Sequence, residues 1–263
     1  MRKQAQCTEL PSDLTYVGAL PDDEVHVWYA DFGDVREPNA LTWILSPEEQ
    51  DRASRFRVAA PRDQFLISRA LLRLALAGYL RIDPRDVRFQ TNEHGKPELR
   101  GTCELQFNLS HTDGAAAMAI TRARAIGIDI ERVRHDVQTL DIADRFFSST
   151  ESDWLHSQPP SKAGPSFFAC WTAKEAYIKA RGIGLSMPLQ AFTVIPSPSC
   201  KILEDELAVE SACATNFTIR SLELGPDLVG AVAMEGEGLR VRLGKWMWPH
   251  MNMDPVNVPE KVS

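Results

Sequence analysis

Apolar positions change their period along this chain. Residues 25–29 (VHVWY) alternate as a strand does, and "SPEE" at 46–49 opens a short helix. Ser46 caps that helix, Pro47 takes its first position and Glu49 closes a capping box. From about 62 to 81, Leu66, Ala70 and Leu74, with Ile67 and Leu71, recur at helical spacing and predict a long helix. "TNEHGKPEL" then reads as a loop around Gly95 and Pro97, and strand-like runs follow at 104–109, 115–121 and 125–131. The same order returns in the second half. A helix near 138–147 leads into "FFSSTE", a longer helix at about 165–181 stops at Gly182, and strand-like runs follow at 191–194, 216–222 and 228–234. A helix followed by antiparallel strands, twice over, predicts an α+β fold of two similar halves, residues 1–125 and 126–244. The tail, 245–263, has no period and is expected to pack as an irregular strap.

Composition narrows the class. The 263 residues are 44% apolar and 25% charged, with 29 Lys and Arg against 36 Asp and Glu, a formal charge of −7. That is enough chain for a full core, and the acidic balance argues against a nucleic-acid partner. The five cysteines are scattered without CxxC spacing, so neither a disulfide framework nor a zinc site is expected, and a reducing cytoplasm fits. "MRKQAQCTELPSD" lacks the apolar core of a signal peptide. The best apolar windows, "LLRLALAGYL" and "GAAAMAI", fall far short of the ~20 residues that cross a bilayer, so no membrane association is expected.

Candidate chemistry begins at "GIDIERV", residues 127–133. In a strand Asp129 and Glu131 share one face while Ile128 and Ile130 take the other. Two carboxylates on one surface repel unless a cation, a base or water lies between them. That pattern alone also describes a strand with a solvated face. A third acid lies in "WTAKEAYIKARGIGL", where Glu175 and Lys179 are i, i+4 neighbours on a helix crowded with aromatics and ionisable groups, including Lys174. Asp129, Glu131 and Glu175 make an all-oxygen set, suited to Mg²⁺ or Mn²⁺ rather than zinc. Mg²⁺ usually bridges to substrate phosphates, and Lys96, His111, Lys179, Arg52, Arg69 and Arg73 are the available cations. Glu151 in "SSTE" fits equally a capping box begun by Ser148 and a catalytic acid. No Walker loop, GxGxxG, HExxH, GxSxG or kinase signature is present. From the residues alone, this is an Mg²⁺ site for a phosphorylated ligand.

In order and spacing, "GKPEL", "FNLSHT", "GIDIERV", "RFFSSTE" and "WTAKEAYIKARGIGLSMPLQAF" resemble the 4′-phosphopantetheinyl transferases of the Sfp type, over about Ser46 to Val194. The resemblance implies transfer of the phosphopantetheine arm of coenzyme A to a serine of an apo acyl or peptidyl carrier protein, releasing adenosine 3′,5′-bisphosphate. It implies a pseudo-dimer of two α+β halves within one chain, acting as a monomer. Asp129, Glu131 and Glu175 match the family's metal carboxylates. Lys96, Ser110 and His111 match positions that hold coenzyme A, and Arg52, Arg69 and Lys174 are counted with them. Lys179 matches the lysine of the pyrophosphate region, and Glu151 an acid near the metal. Glu175 or a water at the metal is the expected base. The "WxxKEA" form resembles the branch that serves polyketide, non-ribosomal peptide and fatty-acid carriers. Two alternatives are another Mg²⁺-dependent diphosphate transferase or hydrolase, and a catalytically silent coenzyme-A-binding module.

Overall fold

The computed structural model describes residues 8–9, 20–101, 104–184, 187–196, 200–201, 204–205 and 216–248. The first half runs β1 (Thr8–Glu9), β2 (Glu24–Asp31), α1 (Pro47–Ser54), α2 (Ala59–Leu80), β3 (Phe89–Thr91), β4 (Pro97–Leu99), β5 (Leu105–Thr112) and β6 (Ala115–Arg122). The second runs β7 (Ile126–Arg132), α3 (Thr139–Phe146), α4 (Ser149–His156), α5 (Pro160–Arg181), β8 (Phe192–Thr193), β9 (Cys200–Lys201), β10 (Glu204–Asp205), β11 (Phe217–Gly225) and β12 (Leu228–Glu235). A last strand, β13 (Arg240–Lys245), closes the described chain.

Local signals set the helix ends. Ser46 and Ser148 each accept from the amide three residues on, and Glu49 and Glu151 return the bond, so both capping boxes form. Helix α5 begins at Pro160, more than a turn before the expected start, because Pro160 fits the first position and Pro165 removes only one early bond. It ends where Gly182 adopts a left-handed φ of 69°.

The two halves share one topology. In the first, β2, β6 and β5 lie side by side in antiparallel pairs; in the second, β7, β12 and β11 do the same. Each half also carries one 22-residue helix after its first strand, α2 or α5. The two-half α+β expectation therefore holds. The expected second half, 126–244, would include residues 240–244, but β13 pairs in parallel with β2 and so extends the first sheet. Just beyond it, Trp246 is buried against Trp28 at the start of the tail, and residues 249–263 lie outside the described residues.

The core is stacked as helix, sheet, sheet, helix. Leu71, Leu72 and Leu76 of α2 pack on Trp28, Phe107 and Met118. Val25, Val27, Ala117 and Ala119 meet Ile128, Ile130, Val232 and Met234 between the sheets. Ala173, Ala176, Tyr177 and Ala180 of α5 cover Ile219, Ala231 and Ala233. Strand β6 is buried on both faces, which explains the unbroken run "AAAMAI".

Helix α5 lies against β7 at Gly127. A Cβ built there would stand 2.1 Å from the Ala176 carbonyl oxygen and 2.3 Å from the Ala180 nitrogen. No side chain fits, so the glycine sets how closely the helix approaches the strand. Gly127→Ala should cost about 3 kcal/mol through overpacking and depress transfer as α5 is pushed away. Urea unfolding and a transfer assay on the same preparation check both effects.

Candidate active site

Strand β7 lies at one edge of the second sheet and β5 at one edge of the first. These edges face each other, but no backbone ladder joins them; side chains do. Asn108 Oδ1 accepts from the Ile128 amide at 2.9 Å, and Ser110 Oγ from the Ile130 amide at 3.4 Å. Buried amides of β7 thus find partners across the seam.

The acids lie along this seam. Asp129 is buried, and its Oδ1 accepts from Ser110 Oγ at 2.8 Å and from the Lys179 ammonium at 2.6 Å. Its Oδ2 is buried with no hydrogen-bond partner among the described residues. Glu131, half-buried, accepts from Thr112 Oγ1 at 3.0 Å. Glu175 comes from α5, the helix that Gly127 draws close, and feels the charges of Asp129 and Glu131.

Electrostatics ties the three acids together. Burial raises the Glu175 carboxyl, the charges of Asp129 and Glu131 raise it further, and Lys179 only partly counters them. Glu131 is also raised, by burial first and by Asp129, against the bond from Thr112. Desolvation by the atoms packed around its ring lowers His111, and the Lys179 charge adds to that. His111 is exposed on the opposite side of β5, 2.7 Å from Gln64 of α2.

Lys96 has a structural job. Its ammonium donates to the carbonyls of Ile126 and Lys179, both at 2.8 Å, clamping the start of β7 to the last turn of α5. Burial brings it down to about 8.

Other expected site residues are committed elsewhere. Glu151 and Lys174 have no exposed side-chain surface, so neither is open to a substrate. Lys174 donates to both Glu151 oxygens, at 2.6 and 2.7 Å, and to the Phe192 carbonyl, while Glu151 also takes the amides of Ser148 and Val194. The ammonium lies 4.1 Å from the Phe192 ring centroid. On a helix, successive residues point about 100° apart, which is why Lys174 is buried while Glu175 reaches the seam. Arg69 and Arg73 both hold Glu49, and exposed Arg52 lies over the Phe65 ring.

The chain's own residues fit a divalent cation. Among the described residues no three acid, histidine or cysteine side chains form a ready-made cage. Yet the orphaned Asp129 oxygen and the mutual repulsion of three hard-oxygen ligands are what a bound cation would relieve.

Comparison with known proteins defines the class. A model of the 4′-phosphopantetheinyl transferase superfamily matches residues 125–229, and one of the 4′-phosphopantetheinyl transferase N-terminal region matches 35–122. The chain is 36% identical over 234 residues to "4′-phosphopantetheinyl transferase HetI" of Nostoc sp., covering 87% of this chain and 93% of that protein. It is 35% identical over 151 residues to "4′-phosphopantetheinyl transferase Sfp" of Bacillus subtilis, covering 57% and 66%. With "4′-phosphopantetheinyl transferase gsp" of Aneurinibacillus migulanus it shares 35% over 157 residues, covering 59% and 64%.

The chain belongs to the 4′-phosphopantetheinyl transferases of the Sfp type. It is an enzyme that moves the phosphopantetheine arm of its substrate, coenzyme A, onto carrier proteins. No described helix is long and apolar enough to cross a membrane.

Two predictions follow from the placement of the acids. Lys174→Met leaves the Glu151 carboxylate buried without its cation and should cost about 3–5 kcal/mol, whereas replacing both by apolar residues should cost less than that single change. Denaturant unfolding of the single and double variants decides it. Glu131 and Glu175 bind protons more tightly folded than unfolded, so they weaken the fold progressively as pH rises through their raised values. Without divalent cations, Glu175→Gln should therefore melt above wild type at neutral pH and lose that advantage in acid. Melting curves across pH in EDTA measure it, and an advantage that persists in acid is contrary to this account.

Proposed function

We propose that the transfer is magnesium-dependent and runs at the seam of β5 and β7, with Asp129, Glu131 and Glu175 holding the cation. The observation that carries this reading is the buried, partnerless Oδ2 of Asp129 beside two acids of raised pKa. When bound, Mg²⁺ neutralises charge on the pyrophosphate of coenzyme A; Mn²⁺ has the same ligand preference. Glu175, poised above the ordinary carboxylate range, takes the proton of the carrier serine hydroxyl. The serine oxygen then bonds to the phosphorus of the phosphopantetheine arm, and the bond from that phosphorus to adenosine 3′,5′-bisphosphate breaks. Lys179, the ammonium within reach of Asp129 and Ser110, steadies the negative charge of the leaving group. His111, on the opposite side of β5 beside Gln64 of α2, is assigned to a coenzyme A phosphate.

Acyl and peptidyl carriers of fatty-acid, polyketide and non-ribosomal peptide synthases are the proposed acceptors, on the strength of the "WTAKEA" sequence. A monomer in a reducing cytoplasm is the proposed setting. The paired halves within one chain support the first, and five scattered cysteines without CxxC spacing support the second.

The test is the intact mass of an apo carrier after incubation with enzyme and coenzyme A. A shift by one phosphopantetheine arm is expected with Mg²⁺ and none with EDTA. Asp129→Asn should lower the rate by about 100-fold or more, the loss expected when several kcal/mol of charge stabilisation are removed. Full transfer in EDTA, or by Asp129→Asn, removes the metal assignment.

A further inference from the structure

Two strands away from β5, three titratable side chains that the transfer does not use meet on the face of the first sheet that α2 covers. Glu24 and His26 of β2 are each only 3% exposed, and Tyr79 comes from the last turn of α2. Strand β13 lies beside them in parallel register, with Arg240 opposite Glu24 and Arg242 opposite His26. Glu24 Oε2 accepts from Arg242 Nε at 2.6 Å and from His26 Nε2 at 3.1 Å. Its Oε1 accepts from Arg242 at 3.0 Å and from Arg240 at 3.1 Å. Four donors thus fill the four lone-pair sites of one carboxylate.

These bonds fix where the imidazole carries its proton. A carboxylate only accepts, so His26 Nε2 holds the hydrogen. The Trp28 indole only donates, to Tyr79 Oη at 3.0 Å, which leaves the tyrosine's own proton to be given to His26 Nδ1 at 2.7 Å. His26 is therefore neutral. A second proton, on Nδ1, would displace the bond from Tyr79 and put a charge beside Arg242. Burial lowers the His26 pKa and Arg242 adds to that, while Glu24, its charge shared with two arginines, opposes them only in part. Among the described residues the titratable and charged groups facing this site are Glu24 from β2, Tyr79 from α2, and Arg242 and Arg240 from β13, Arg240 being paired also with Asp23; β6 presents Ile120 opposite His26.

Strand β13 is where the chain returns from the second half to the first, and Leu239, Val241 and Leu243 enter the packing between the two sheets. We propose that the network is an acid-sensitive latch on this return strand: neutral His26 keeps β13 in the first sheet, and a proton on His26 releases it. Once β13 leaves, Glu24 loses both arginines and β2 becomes the edge of its sheet, so His26 recovers an ordinary imidazole environment. The released histidine takes a proton that the latched one refuses. Opening is therefore favoured as pH falls below the ordinary value of 6.5, by about 10-fold at one pH unit below it.

Amide hydrogen exchange of the whole protein, corrected for the intrinsic pH dependence of exchange, reads the latch directly. From about pH 7.5 to about pH 5.5, protection of β13 (Arg240–Lys245) should fall by about 10-fold while that of β6 (Ala115–Arg122) stays within about 2-fold. His26→Gln, which cannot take up the proton, should hold β13 within about 2-fold over the same range. Unchanged β13 protection in the wild type overturns the latch, as does an equal loss in β6 or a His26→Gln protein that keeps the full pH dependence. Imidazole nitrogen shifts of wild-type His26 supply a second reading that needs no variant. They should show a neutral ring protonated at Nε2 near pH 7.5 and a titration midpoint below 6.5. A midpoint at or above that value, or a proton on Nδ1 near pH 7.5, overturns the proposal.

Discussion

The free edge of β7 presents buried amides that need partners, and the side chains of β5 supply them. Two sheets could have met at this edge as one continuous ladder. They meet instead through Asn108 and Ser110, which leaves room for side-chain chemistry between the strands. Because the pleat alternates, β7 can bury Ile128 and Ile130 between the sheets while Asp129 and Glu131 look toward α5. Gly127 then brings α5 down close to β7, and Lys96 ties the two together at the helix end. The site is a consequence of how the halves join.

The arrangement sets stability against chemistry. The charge of Asp129 helps to raise Glu131, and both help to raise Glu175, in a partly dry seam with the Lys179 ammonium as a partial counter-charge. A folded protein tolerates such repulsion where the surrounding packing is firm. Here firmness comes from the aromatic cluster of Phe147, Phe167 and Trp171 and from the buried pair of Glu151 and Lys174. That pair stitches α4 to α5 and to β8, whose Phe192 carbonyl Lys174 also takes.

Much of this was legible in the sequence where the signal is local. Both capping boxes, the Gly182 stop and the alternation of "GIDIERV" depend on a few neighbouring residues, and each formed as read. The repeated order of helix and strands also carried through to a repeated topology. What depended on distant partners was not legible. "RVRLGK" lies beyond the strand-like runs that the sequence pattern marks, and nothing local in it points to β2, its partner more than two hundred residues earlier. Glu151 and Lys174 look like site residues through the resemblance, yet they pair with each other, and their further partners, the Phe192 carbonyl and the Val194 amide, lie some twenty to forty residues away in the chain. Ser110 and Thr112 show a detectable pattern: with Asn108 they place a polar residue at every second position of β5, as the acids do on β7. Only the contact between the strands reveals that the two patterns are in register.

The central claim is that a cation belongs at the seam of β5 and β7, and paramagnetic broadening of amide signals by Mn²⁺ locates it most directly. The account predicts that broadening begins at Ser110–Thr112, Asp129–Glu131 and Glu175, and reaches α1 and β13 last. Broadening centred on another part of the chain, or none at Mn²⁺ concentrations that support transfer, would contradict it.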